Sequence, residues 1–443
     1  MNNPLAKQIT TINLIKFTAP TIGMMVIMAF YTMVDGIFVA RLVNTDALSA
    51  VNIVYPLISF MVGISVMLAT GSSAIVGKEM GEKQIERARE HFSMIVYVGI
   101  VVSVACAVII LIFIDPILRF LGTTDLLYDY CYVYALILTL FIPVEMLQIL
   151  FQFFFVTAGK PTLGLAATIM GGIANVVLDY VFIVPMGMGV AGAALATGVG
   201  FSIPAIIGLF YFMFNRKGTI YLTKARLEIK TLGKICLNGS SEMVVNLAIS
   251  VTTILYNLIM MKALGEDGVA AITIVLYAEY LLNAVFLGYS SGVAPLFSYN
   301  FGEQNVDALK KLLKKSQIFI LVASIGIAVI ARALAEPIVM IFAKSGTNVY
   351  DIAIDGFYIF GIGFLFMGSN IFASALFTSL SNGKVSALIS FLRTFILLSA
   401  MIVLLPTLFG IEAIWAAVPV AEAMALIVSV ICIVKHRSKY NYY

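Results

Sequence analysis

Four oxygen-bearing side chains sit where an apolar chain has least use for them. Asp35 lies near the end of a long apolar stretch, TAPTIGMMVIMAFYTMVDGIFVAR, that runs from Thr18 to Arg41. A carboxylate inside such a stretch costs about 2.5–3.5 kcal/mol on membrane-insertion scales, so it reads as functional unless it sits in the wet interface. Pro20, at the start of the same stretch, removes a backbone donor and makes this a helix that can bend, a candidate hinge. Asn175 and Asp179 are four residues apart and so share one face of a later helix. Thr197 follows on the next apolar segment. At a rise of 1.5 Å per residue, Asp35 and Asp179 both lie about 9 Å from the same end of their helices, and Thr197 about 12 Å. Two carboxylates in a low-dielectric site cannot both stay ionised cheaply, so the pair either holds a proton or captures a hard cation. Asp35, Asn175, Asp179 and Thr197 are all oxygen donors, which suits Na⁺ as well as H⁺.

A second set of ionisable residues belongs to the other half of the chain. Glu242 and Arg393 lie about 12 and 13 Å from the opposite end of their helices. Glu279, Glu145 and Glu422 fall near the middle of theirs. A buried arginine needs a partner, and Glu242 is at the matching depth. These groups read equally as a structural ion pair or as a substrate or coupling site. The many Met, Phe and Tyr residues could line a cavity for apolar cations, although most are core or lipid-facing.

The elements that carry these residues are membrane helices. The chain of 443 residues is 61% hydrophobic and only 11% charged, against about 25% charged in soluble domains. Apolar runs of helical period and bilayer length indicate α-helices rather than a barrel. Twelve such segments are expected, near 14–40, 47–77, 92–114, 130–158, 162–184, 190–214, 235–262, 269–299, 308–333, 352–380, 385–408 and 411–434. No cleavable signal peptide is visible before the first. Cys106, Cys131, Cys236 and Cys432 fit no disulfide or metal spacing and read as fillers. The net charge of +4 comes from loops, not from a nucleic-acid patch. With the amino terminus in the cytoplasm, the cytoplasmic side carries most of the Lys and Arg. The other side has only Arg41, Arg119, Lys262, Arg332 and Lys344, with Arg393 left inside a span. This bias places both termini in the cytoplasm.

The chain is also a duplication. At an offset of 221, Gly81-Glu82 falls on Gly302-Glu303, Asp115-Pro116-Ile117 on Glu336-Pro337-Ile338, and Gly189-Val190 on Gly410-Ile411. After a three-residue slip, Gly159-Lys160 falls on Gly383-Lys384. Each half has an even number of spans, so the repeat is parallel, an architecture typical of secondary transporters. The expected division is an N-terminal lobe (1–214), a basic cytoplasmic linker (215–234) and a C-terminal lobe (235–443), all α, twelve helices in two six-helix bundles. The acids are not part of the shared scaffold: Asp35 falls on Tyr256, and Asn175 and Asp179 fall on Ser399 and Val403.

On these features the chain resembles the multidrug and toxic compound extrusion (MATE) transporters over essentially its whole length. The resemblance rests on the two six-helix halves, Pro20 and Asp35 in span one, and Gly159-Lys160-Pro161. It rests further on Asn175-x-x-x-Asp179 in span five, Thr197 in span six, and Gly-Glu after spans two and eight. The prokaryotic branch named after DNA-damage-inducible protein F is the most similar. It implies an ion-coupling set of Asp35, Asn175, Asp179 and Thr197, joined by a polar residue of span four, either Gln148 or Gln152. Glu242 resembles the span-seven acid that some members use, but the span-ten stretch GFLFMGSNIFASALF, residues 363–377, has no acid to match their second. The resemblance implies a cation-coupled antiporter exporting lipophilic organic compounds, often cations, by alternating access, with substrate in a cleft between the lobes. Its partners would be small organic molecules and the bilayer of a prokaryotic plasma membrane. A monomer is expected, with no nucleic acid, no enzymatic activity and no cofactor beyond the coupling ion.

Three rival readings compete with this one. A lipid-linked oligosaccharide flippase of the same superfamily shape would need more basic residues than Arg393 to hold a pyrophosphate. An intramembrane aspartyl protease would need a Gly-x-Gly-Asp setting that is absent. A channel would need a filter-like segment. No P-loop occurs, so active transport would draw on an ion gradient.

Overall fold

A computed structural model describes residues 4–442 of the chain. Among the described residues the regular elements are all helical. Eleven helices are long and apolar enough to cross a membrane: Thr11–Val43, Asp46–Gly81, Ile85–Ile112, Tyr128–Thr157, Pro161–Ile183, Gly189–Phe214, Ile229–Gly302, Val306–Ala333, Asn348–Ser379, Gly383–Phe409 and Ile411–Tyr440. The seventh, of 74 residues, is two arms that meet at Gly265, where φ is 67° and ψ −152°. Only glycine takes that conformation readily. Residues near both ends of this helix, Ile235 and Tyr299, touch the same end of the second helix, at Gly71 and Gly81. The arms therefore run back on each other, and the molecule has twelve crossings, numbered here as spans one to twelve, with spans seven and eight being 229–264 and 266–302. Span seven begins at Ile229, so the last residues of the expected 215–234 linker are already helix.

The repeat is visible in the punctuation. Two short helices, Ile114–Phe120 and Ala335–Phe342, occupy equivalent places. Lys83 and Gln304, 221 apart, both have positive φ. One matched pair needs correction. The residue after the helix end that must turn left-handed is Gly159 in the first half (φ 72°) and Ser381 in the second (φ 58°). Gly383 instead starts the next helix. The slip is one residue rather than three, and Asn175 and Asp179 then fall on Leu397 and Met401, still without polar counterparts.

The two halves meet through span two and the seven–eight hairpin, the largest contact between elements. Glycines set this contact. A Cβ at Gly81 would strike the carbonyl of Tyr299, and one at Gly302 the carbonyl of Lys78. Because Tyr299 and Lys78 are repeat mates, the contact is reciprocal. Gly71 packs on Gly239 of span seven, and Gly292, its mate, on Thr18 and Thr21 of span one. Small residues allow such backbone approach where lipid tails offer no hydrophobic drive. This end of the molecule also carries Lys78, Lys83, Arg87 and Arg89, and is called the basic end below.

The connection between the halves, residues 215–228, is a strap laid on span three. Arg89 Nε donates to the carbonyl of Thr219 (3.0 Å), its guanidinium lies 4.1 Å from the Tyr221 ring centroid, and Thr223 N–H donates to Ser93 Oγ (2.8 Å). The strap ends in a charge cluster that sequence reading overlooked. The buried His91 has Nδ1 2.8 Å from Glu79 Oε1 and Nε2 2.8 Å from Glu228 Oε2. Arg87 stands 3.6 Å from Glu79 and 3.7 Å from Glu228. Thr231 O–H, at the start of span seven, also donates to Glu228 (2.6 Å). Those bonds from Thr231 and His91 hold the Glu228 carboxyl down to about 2, from an ordinary 4.5.

Candidate functional site

The first-half site is built where spans one, four, five and six converge. Glycines again permit the approach. A Cβ at Gly171 would come 2.6 Å from the Gly200 carbonyl, and one at Gly200 2.9 Å from Asn175 Cβ. Spans five and six therefore touch, bringing Asn175 and Thr197 to one place. Tyr31 of span one packs on Gly172 of span five, where a Cβ would lie 2.9 Å from its ring. Spans one and five both run away from the basic end. One turn beyond Tyr31 and about two beyond Gly172, Asp35 and Asp179 therefore meet.

The two carboxyls are within hydrogen-bonding reach of each other. Asp179 is fully buried. Asp35 Oδ1, both oxygens of Asp179 and Asn175 Oδ1 are buried with no donor among the described residues. Tyr134 stands near both acids, and Tyr277 and Tyr31 near Asp35. Buried polar groups without partners are rare and costly in finished proteins. Two carboxyl groups in contact with no other donor require a proton or a cation between them. Thr197 O–H is committed to the carbonyl of Ala193 (3.0 Å), which leaves its oxygen free to accept.

A small pocket of about 10 Å³, lined by Tyr31, Gln148, Asn175 and Thr197 but by neither acid, lies about one helical turn from the pair. It has room for one water-sized species. The pocket separates the two span-four candidates. Gln148 faces it, whereas Gln152 turns its amide to Met28 Sδ at 3.0 Å. Pro20 is buried inside a helix that keeps helical geometry through it. It lies against span eight, where a Cβ at Gly288 would come 2.5 Å from Ile22 Cα.

The second-half residues gather round a larger cavity of about 250 Å³. Glu242, Glu279 and Arg393 all line it, together with Glu422, Tyr256, Tyr280 and, from the first half, Thr70, Ser73 and Phe153. The expected Arg393–Glu242 pair is not what forms. Arg393 Nε donates to Glu422 Oε1 at 2.7 Å. Glu422 Oε2 accepts from Asn370 Nδ2 (2.7 Å), and Asn370 Oδ1 accepts from Ser429 (2.8 Å). Matching depth is necessary for a pair but not sufficient. Span twelve adjoins span eleven around Arg393 and so supplies the partner. Arg393 itself lies in a π-helical stretch, Phe391–Leu397, a distortion often found at functional sites. Glu279 accepts only from Asn283 Nδ2, at 3.2 Å. Glu145 is buried in span four and lines neither pocket.

Comparison with known proteins agrees with this architecture. The multidrug export protein MepA of Staphylococcus saprophyticus is 20% identical over 426 residues, spanning 94% of this chain and 92% of that protein. Among solved structures, a MATE in complex with MaL6 superposes with a TM-score of 0.94 at 19% identity, covering all of both chains. An outward-facing multidrug resistance MATE family transporter of the MOP superfamily gives 0.90 at 20% identity, covering 97% of this chain and 96% of that one. The MatE family model matches twice, at residues 20–181 and 243–404, once in each half and over most of the chain. This chain therefore belongs to the MatE family and is a membrane transporter of twelve crossings.

Proposed function

We propose that the protein is a multidrug efflux antiporter that exchanges lipophilic organic compounds, often cations, for H⁺ or Na⁺. The observation that carries this reading is the Asp35–Asp179 pair: two buried acids in mutual reach, with three of their oxygens lacking any donor among the described residues. Such a site has an unmet demand for one positive charge, and a proton or a sodium ion would meet it. Direct carboxyl-to-carboxyl approach favours the proton, because a sodium ion held between the groups would separate them. The donors of a sodium form would be Asp35, Asp179, Asn175 Oδ1 and Thr197, with Gln148 at the edge. The names of the MepA relatives support drug export as the work to which this ion is coupled.

With the basic end in the cytoplasm, the acid pair lies towards the outer side. An ion arriving from outside binds the pair and cancels its charge. This changes what span one can hold against spans five and eight. Span one pivots near Pro20, the lobes rock, and substrate in the cavity between them is released outward. Returning the ion to the cytoplasmic side restores the charged pair. The flippase reading gains nothing from the cavity. Arg393 is its only basic lining residue, where a pyrophosphate needs several.

The test uses purified protein in liposomes loaded with ethidium, with H⁺ and Na⁺ gradients imposed separately. Gradient-driven movement by wild type, abolished in Asp35→Asn and in Asp179→Asn, is the expected result, and the effective gradient names the ion. Undiminished transport by well-folded variants would remove the coupling role from this pair.

A further inference from the structure

We infer that the second-half cavity selects amphoteric substrates, binding an anionic oxygen group at Arg393 and a protonated amine at Glu279 and Glu242. The inference rests on the cavity being the substrate site and goes on to say which chemistry it reads.

The positive pole comes from how Arg393 is held. Its guanidinium has five N–H donors. Only Nε is spent, on Glu422. The four Nη hydrogens have no acceptor among the described residues, and the side chain lines the cavity. Glu422 cannot swing to meet them, because its other oxygen is bound by Asn370, which Ser429 holds in turn. A fork of N–H donors fixed this way matches a carboxylate or phosphate in bidentate geometry. The π-helical turn presents it: one extra residue in the turn rotates Arg393 relative to a plain α-helix.

The negative pole is made of carboxylates that no base neutralises. Among the described residues Glu242 makes no ion pair, and Glu279 has only the long bond from Asn283. Both lie near enough to Arg393 to sense its charge, so a ligand of modest length can reach both poles. Tyr256 Oη, Asn283 Oδ1 and Ser290 Oγ are buried at the cavity wall without partners. These orphaned atoms point to a polar occupant rather than a purely apolar one. A simple cation would satisfy the acids and leave the Arg393 fork unmet. An amphoteric molecule satisfies both.

The experiment measures displacement of ethidium from purified protein in lipid nanodiscs at neutral pH. The competitors are a matched pair: 4′-(aminomethyl)biphenyl-4-carboxylic acid, a zwitterion, and its methyl ester, a monocation. The zwitterion is expected to compete about tenfold better, as befits a charge-assisted bidentate contact. That preference should vanish in the double variant Arg393→Met/Glu422→Gln, which removes both charges and keeps the Asn370 contact. A melting temperature of the double variant close to that of wild type shows that it is folded. Equal competition by acid and ester in wild type, or a preference for the ester, overturns the inference and leaves the cavity as a site for plain cations. Absence of saturable ethidium binding in wild type overturns the substrate reading of the cavity, and the inference with it.

Discussion

The acid pair of the first half and the ion pair of the second solve opposite problems. Their places in the fold are related: Arg393 corresponds to Gly171 and Glu422 to Phe201, both of which line the small first-half pocket. In the second half every oxygen of Glu422 is bonded and the charge is matched. In the first half, three carboxylate oxygens have no donor among the described residues. A carboxylate whose oxygens are all bonded has one preferred arrangement, while a pair of unbonded carboxyls changes whenever an ion comes or goes. The first therefore suits a fixed wall of a binding cavity, and the second suits an exchanging site. Two bundles of common ancestry have divided these tasks by losing and gaining a few charges on a shared scaffold.

That division can be broken at its hardest point first. Glu422→Ala leaves Arg393 buried and bare, and should destabilise the protein by about 3–5 kcal/mol, whereas Arg393→Met/Glu422→Gln should be close to neutral. Thermal unfolding in detergent compares the two. If Glu422→Ala were as stable as wild type, the second-half network would not be a rigid element. The converse substitution in the first half, Asp179→Asn, should leave the melting temperature unchanged or raised, because it relieves a buried charge. It should cut gradient-driven transport roughly 100-fold, within the range of coupling between sites. Gly288→Ala, which sets a methyl 2.5 Å from Ile22 Cα, should cost about 1–3 kcal/mol by overpacking. It should also impair turnover by shifting span one at Pro20. Transport at the wild-type rate would argue against a pivot there. A smaller effect sharpens the choice within span four: Gln148→Ala should shift the ion dependence of transport, and Gln152→Ala should not.

A last prediction separates acid effects on the fold from those on the site. Glu228 lies outside both cavities, and its carboxyl is lowered to about 2 in the folded protein. A lowered carboxyl stabilises above its unfolded value near 4.5, and this contribution is lost as pH falls from there towards 2. His91→Gln removes one of the bonds that lower it. The acid-induced drop in melting temperature from this group should then be smaller and end at a higher pH, while ion-driven transport near neutral pH stays coupled.

Much of the first-half site is legible in the sequence. Asn175 and Asp179 are one turn apart, and a rise of 1.5 Å per residue puts Asp35 at their level. Asp35 and Asp179 stand within reach of each other in the fold. The same arithmetic misassigns the partner of Arg393, because depth says nothing about which helix stands alongside. Gln148 and Gln152 share a helix face, so only the glycine-mediated contact of spans five and six could separate them. The offset near Gly159 goes astray when a glycine is matched to a glycine, because the backbone requires a positive φ that Ser381 supplies instead. The His91 cluster escapes the sequence although it leaves a signal there. His91 is one of only two histidines in the chain, near the carboxylate-rich end of span two. Its second partner, Glu228, is 137 residues away in sequence.

The reciprocal glycine contacts at the basic end say something about descent. Gly81 rests on Tyr299 while Gly302 rests on Lys78, so residue i touches j while the mate of j touches the mate of i. That is the signature of a two-fold interface between identical subunits. A half-length ancestor of six spans, inserted with one orientation, could form this interface as a homodimer. Fusion through a connector on one side of the membrane replaced concentration with tethering. It also ended the rule that both halves must mutate together. Only then could one copy keep an unpaired couple of acids while the other acquired an arginine with its own counter-charge. The glycines retain the symmetry that the charged sites have lost.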